Sequence, residues 1–226
     1  KIFTVPGPGG VLDCLYISCR GDIKTHKHHK PTHTDTKLVL FCPPNAGFYE
    51  VLSQCDFESS WVGYYLNRGY DVFTFNYRGY GRSQGVPSSQ ALKQDGLVVF
   101  QYVLQHYPAK LYVLHGESIG GMVACHIAAH NTHTYTHTPS SSSSSSPSIS
   151  LICDRTFGSL DAAAARIMAQ WAGQAMRHLA LWKTDVVSDY LAATCDKLVL
   201  QVMGSCGVVL CVYVYVRVLL WVLYWF

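Results

Sequence analysis

Lys110-Leu111-Tyr112-Val113-Leu114-His115-Gly116-Glu117-Ser118-Ile119-Gly120-Gly121 is the stretch on which the reading of this chain turns. Lys110 to His115 is a short run of strand length, stepping off Pro108 and stopping at glycine. Gly116 to Gly120 then spells Gly-x-Ser-x-Gly, and Met122, Val123, Ala124, Ile127 and Ala128 continue as one apolar, mostly small helix face. Between a strand and a helix that pentapeptide makes a turn so sharp that its serine takes a strained backbone conformation and stands above the sheet edge. Ser118 is therefore a candidate nucleophile. The pentapeptide alone arises by chance in many chains, and the strand before it and the helix after it give it meaning.

Outward from this point the pattern alternates. Leu38 to Cys42 is a continuous apolar strand, followed by the loop Pro43-Pro44-Asn45-Ala46-Gly47 and a helical stretch with Phe57, Trp61, Val62, Tyr65 and Leu66 on one face, closed by Gly69. Asp71 to Phe75 is the next strand and runs into the glycine-punctuated loop Asn76 to Ser83. Leu92 to Tyr107 is an amphipathic helix stopped by Pro108, and Ile149 to Asp154 and Lys197 to Val202 are further strands. Ile2 to Ser18, around Pro6-Gly7-Pro8-Gly9-Gly10, reads as an antiparallel hairpin at the start of the sheet. Strand–helix alternation of this kind predicts an α/β fold: a mostly parallel central sheet with helices on both faces, connected by right-handed crossovers. Sites in such sheets lie at the carboxyl ends of the strands, where Asn45, Arg78 and Ser118 all fall.

At 226 residues, 49% hydrophobic and 14% charged, the chain suits one domain with a large core. A net charge of +3 and the absence of a basic run with interleaved aromatics argue against nucleic acid as a partner. Nine scattered cysteines with no Cys-x-x-Cys spacing indicate neither a disulfide framework nor a zinc site, and favour a reducing compartment, cytoplasmic or at a membrane, over secretion. The chain begins at Lys1 with no signal-like pattern, which predicts that a natural amino terminus lies upstream. Two segments break the domain. Residues 21–37 are a Thr/His/Lys-rich loop in which His26, His28, His29 and His33 read as a solvated insert rather than a metal site. Residues 131–148 alternate Thr and His and then run through Ser140 to Ser146, which cannot bury a core and predicts disorder. His126 and His130, at i and i+4 on the helix after Ser118, have no third ligand legible in the sequence and read as packing or surface residues. No cofactor and no metal are expected.

Three segments resemble the alpha/beta-hydrolase superfamily: Leu38 to Glu50, Asn76 to Pro87 and Leu111 to Ala129. Asn45-Ala46-Gly47-Phe48-Tyr49-Glu50 with Gly85-Val86-Pro87 is similar to its phosphatidylserine and monoacylglycerol lipase branch. The resemblance covers residues 1–202 apart from the two inserts. It implies that Ser118 is the nucleophile of an acyl-enzyme mechanism, with the backbone N–H groups of Ile119 and Asn45 as the oxyanion hole and a small-molecule or lipid acyl ester as substrate. It implies structural roles for the Arg78-Gly79-x-Gly81 loop and for Asp95, and places a cap at residues 156–194, where Ser159 to Trp182 reads as an alanine-rich helix capped by Ser159.

The family's acid and histidine follow the serine in the order Ser, Asp, His. Here no Asp or Glu lies beyond Asp196 and no His beyond His178, so the fold is expected to be incomplete at its carboxyl end. Asp154 is the substitute acid, at a strand end where some relatives keep theirs, and His178 in the cap is the remaining base. Residues 203–226 form a hydrophobic tail that reads as out-of-family sequence, such as a mispredicted exon. It is long enough to span a bilayer, but Arg217 near its middle would cost about 2.5–3.5 kcal/mol there. Three functions compete: a serine esterase or lipase, a truncated and catalytically inactive hydrolase scaffold, and a protein associated with membranes through this tail.

Overall fold

The computed structural model describes residues 1–20, 36–45, 47–52, 60–131, 147–167, 184–203 and 208–214. Eight strands make one sheet in the order β1-β2-β4-β3-β5-β6-β7-β8. β1 (Ile2–Gly7) and β2 (Gly10–Ile17) are the expected hairpin, with Gly7 opposite Gly10. β3 (Lys37–Cys42), β4 (Asp71–Phe75), β5 (Leu111–Glu117), β6 (Ser148–Asp154) and β7 (Asp196–Met203) run parallel to one another, and β2 joins β4 antiparallel. β8 (Val208–Val214) turns back antiparallel on β7, so seven residues of the predicted tail are an edge strand. Among the described residues no helix is long and apolar enough to cross a membrane.

The period of two along β3 shows how the sheet earns two apolar faces. Leu38, Leu40 and Cys42 belong to a large core with α3 (Ser89–His106) and α4 (Ile119–His130), whereas Val39 and Phe41 point to the opposite side. There they meet Val62 and Tyr65 of α2 (Trp61–Leu66). All five side chains from Leu38 to Cys42 are at most 1% exposed, which is why this strand shows no polar alternation in the sequence. Each such side chain removed from water contributes about 1.5–3 kcal/mol.

Helix boundaries follow capping chemistry. α3 begins three residues before the predicted Leu92, because Ser88 accepts the Ala91 N–H and opens the helix earlier than the apolar pattern does. α2 ends at Leu66 rather than at Gly69; Gly69 instead takes φ +76° in the turn that follows. α1 (Tyr49–Leu52) is a single turn after the β3 loop. In the cap-like region, α5 (Leu160–Ile167) begins where predicted, with Ser159 Oγ accepting the Ala162 N–H at 3.4 Å, and α6 (Val186–Ala192) returns the chain to the sheet. Residues 168–183, and with them His178, lie outside the described residues, as do most of the two inserts.

Candidate active site

β5 ends at Glu117 and α4 starts at Ile119, so Ser118 alone makes the junction. Its backbone sits at φ 54°, ψ −116°, a conformation that costs a residue with a side chain about 1–3 kcal/mol. The surroundings enforce it. Ser118 N–H donates to Asp154 O at 2.9 Å, and the Gly121 N–H donates back to Ser118 O at 3.1 Å. A methyl at Gly120 would stand 2.0 Å from Cys42 O, and one at Gly121 would stand 1.8 Å from Thr156 Oγ1. These contacts favour glycine at both places: Gly120 presses the first turn of α4 against the end of β3 and the start of its loop, and Gly121 presses it against Thr156 after β6. Ser118 itself is half-buried rather than enclosed in the core.

The loop after β3 carries exposed Asn45 and is held from the side by the loop after β4. Buried Asn76 accepts the Tyr49 N–H at 3.0 Å and donates to Glu50 Oε2 at 2.9 Å. Tyr77 Oη donates to Pro43 O at 2.9 Å, and Tyr80 Oη donates to Asn45 Oδ1 at 2.8 Å. Underneath, Asp13 Oδ2 accepts from Tyr49 Oη at 2.6 Å and from Arg82 Nε at 3.0 Å. The β4 loop is anchored in turn by Arg78, which forks onto Asp95, a carboxylate with no exposure, through Nε at 2.6 Å and through Nη2. The pairing raises the Arg78 pKa further. Asp95 and Arg78 thus tie the β4 loop to α3.

The acid and base candidates are placed differently. Asp154 ends β6 beside the serine, but its carboxylate is gripped by Arg155 through Nη2 at 2.9 Å and Nε at 3.1 Å. Arg155 also reaches Glu117 Oε1 at 2.5 Å, where burial pushes the Glu117 carboxyl up and the guanidinium partly offsets that rise. Each described histidine is engaged elsewhere. His115 is buried with Nδ1 2.9 Å from Tyr65 Oη, and desolvation lowers its pKa to about 3. His106 Nδ1 bonds Tyr102 O, His130 Nδ1 bonds His126 O, and His126 Nδ1 meets Asp189 Oδ2 at 3.1 Å.

Sequence reasoning missed Asn76, Tyr77, Tyr80 and Asp13 as supports of the Asn45 loop. Side chains that bond groups tens of residues away leave no periodicity, and only the clustering of Asn76, Tyr77 and Tyr80 in a glycine-rich loop hints at them. It also missed Asp189, the acidic partner that α6 brings to His126.

Residues 37–178 match the model of the alpha/beta hydrolase fold family. An uncharacterized membrane protein of Saccharomyces cerevisiae is 37% identical over 121 residues, 51% of this chain and 39% of that protein. The lysophosphatidylserine lipase ABHD12 of Danio rerio is 39% identical over 109 residues, 44% of this chain and 25% of the lipase. The chain thus spans well under half the length of these relatives. Among solved structures, an alpha-beta hydrolase from Vibrio vulnificus superposes with a TM-score of 0.67 at 20% identity, covering 89% of this chain and 63% of that one. The Pyrococcus furiosus esterase Pf2001 gives 0.56 at 15% identity, over 88% and 67%.

Proposed function

The chain belongs to the alpha/beta hydrolase family, and from that premise we propose that it is a carboxylic ester hydrolase of the lipase or esterase kind, working through Ser118. The observation that carries the reading is the strained backbone of Ser118 at φ 54° on a strand-to-helix junction that two crowded glycines leave no freedom to relax. A folded protein keeps such strain where the conformation is used.

In this mechanism Ser118 Oγ attacks the ester carbonyl carbon and its proton passes to a base. The oxyanion that develops is met by the backbone N–H groups of Ile119 and Asn45, each such donor worth about 3–4 kcal/mol in the transition state. Collapse expels the alcohol and leaves an acyl-serine, which water then hydrolyses. The substrate class is a small-molecule or lipid acyl ester, supported by the lipase among the relatives and by the Ala- and Leu-rich residues of the cap-like segment.

A second reading has its own support. Asp154 is committed to Arg155 and every described histidine to another partner, so the described residues present no base at Ser118. On that reading the chain is a hydrolase scaffold with little turnover, since losing the base or acid of a triad removes on the order of 10⁴ in rate. A fluorophosphonate probe separates the two. Labelling that disappears in Ser118→Ala supports the esterase, whereas a folded protein that takes no label supports the scaffold.

A further inference from the structure

Away from the serine, α4 and α6 bring three metal-ligating side chains together. His126 and His130 stack on one face of α4 with ring centroids 3.9 Å apart, and Asp189 faces them from α6. One ligand atom from each of the three lies within 4.8 Å of the others. We infer that His126, His130 and Asp189 form a binding site for a divalent first-row transition metal, with Zn²⁺ as the natural test ion.

The spacing fits. Ligands about 2.0–2.1 Å from a tetrahedral zinc stand roughly 3.3 Å from one another, and His126 Nδ1 is already 3.1 Å from Asp189 Oδ2. His130 has the outer partner that metal-bound histidines use. Its Nδ1 is bonded to His126 O at 3.0 Å, which orients the ring and leaves Nε2 as the ligand atom. His126 and Asp189 are held in place, with side chains only 16% and 13% exposed. Two imidazoles and one carboxylate suit Zn²⁺, Ni²⁺ or Cu²⁺ better than Mg²⁺ or Ca²⁺, and water supplies a fourth ligand.

A cation already uses this carboxylate: Lys93 Nζ from α3 sits 2.6 Å from Asp189 Oδ2. Lys93 is therefore the metal's competitor, and its removal strengthens binding. His126 lies eight residues beyond Ser118, about 12 Å along the helix axis. The metal does not reach the reacting serine. It pins α6 to α4 where the chain returns from residues 168–183, so the site is structural and stands independently of the esterase reading.

The test is calorimetric titration of the metal-stripped full chain with ZnCl₂, repeated after His26, His28, His29, His33, His133 and His137 are all changed to alanine to remove the histidines of both inserts. One saturable equivalent is expected in both proteins, with a rise in melting temperature, since a ligand bound only by the folded state stabilises it. Asp189→Asn and His130→Ala each weaken it by about tenfold or more, Lys93→Met tightens it, and Co²⁺ in place of Zn²⁺ gives the visible absorption of a tetrahedral site. His130 is exposed, so its alanine variant keeps the fold. Binding that vanishes with the insert histidines, or that Asp189→Asn and His130→Ala both leave intact, overturns the site. Fluorophosphonate labelling of Ser118 stays the same in all these variants, which keeps the two proposals separable.

Discussion

Tyr80 Oη donates a hydrogen bond of 2.8 Å to Asn45 Oδ1 across 35 residues of sequence, so the loop after β4 holds the tip of the loop after β3. In the proposed mechanism the Asn45 amide is an oxyanion donor, and its direction depends on this clamp. Tyr80→Phe deletes one neutral hydrogen bond, worth about 0.5–1.5 kcal/mol. The rate of fluorophosphonate labelling at Ser118 should fall about three- to tenfold while the melting temperature stays nearly constant. An unchanged labelling rate would remove Tyr80 from any positioning role.

Gly120 and Gly69 offer a paired test of crowding against backbone preference. A methyl at Gly120 meets Cys42 O at 2.0 Å, whereas one at Gly69 meets nothing within 4 Å. Gly69→Ala pays only for its left-handed backbone, about 1–2 kcal/mol. Gly120→Ala must push α4 off β3 and should cost more than about 3 kcal/mol or prevent soluble expression. Urea unfolding of the two variants compares them, and equal losses would contradict the close contact at the junction.

Asp95 has no exposure and holds Arg78, whose own side chain is 12% exposed. Asp95→Asn leaves the guanidinium without its counter-charge and should destabilise the fold by about 3–5 kcal/mol. Asp95→Leu paired with Arg78→Met should recover much of that loss, because an uncharged pair leaves no orphaned ion. Chemical denaturation of the two proteins checks this, and a double variant no better than Asp95→Asn would count against it.

His115 sets a pH dependence. Burial lowers its folded-state pKa to about 3 from an ordinary 6.5, so between these values the unfolded chain binds the proton and the folded chain does not. Stability therefore rises with pH through that window and is lost on acidification below about 6.5, by up to roughly 1.4 kcal/mol per pH unit. His115→Gln keeps a group for Tyr65 Oη to bond and cannot titrate. Its urea midpoint should fall less between pH 7.5 and pH 5 than that of the unmodified chain, and parallel slopes would show that other groups govern the acid limb.

Much of the architecture was legible because it rests on local rules. The segments Leu38 to Cys42 and Asp71 to Phe75 coincide with β3 and β4 to within a residue; the first is an unbroken apolar run because its strand is buried on both faces, and the second stands out as a short Val- and Phe-rich stretch between Gly69 and the glycine-punctuated loop. The Gly-x-Ser-x-Gly turn was legible because steric crowding leaves no room for a side chain at Gly116 and Gly120. The supports of the Asn45 loop were not, because Asn76, Tyr77 and Tyr80 act on groups that only folding brings near. The same holds for Asp189, which meets His126 across 63 residues and two elements. Hydrogen bonds of this kind depend on tertiary placement and impose no pattern along the chain.

The reversal at the last strand has a geometric outcome for the reaction. Because Val214 pairs with Lys197 while Val208 pairs with Met203, the polypeptide leaves β8 at the amino-terminal rim of the parallel strands, the rim opposite Ser118. Seven residues of strand carry it about 20 Å away. A proton acceptor delivered from that direction would have to cross the height of the sheet to reach the serine.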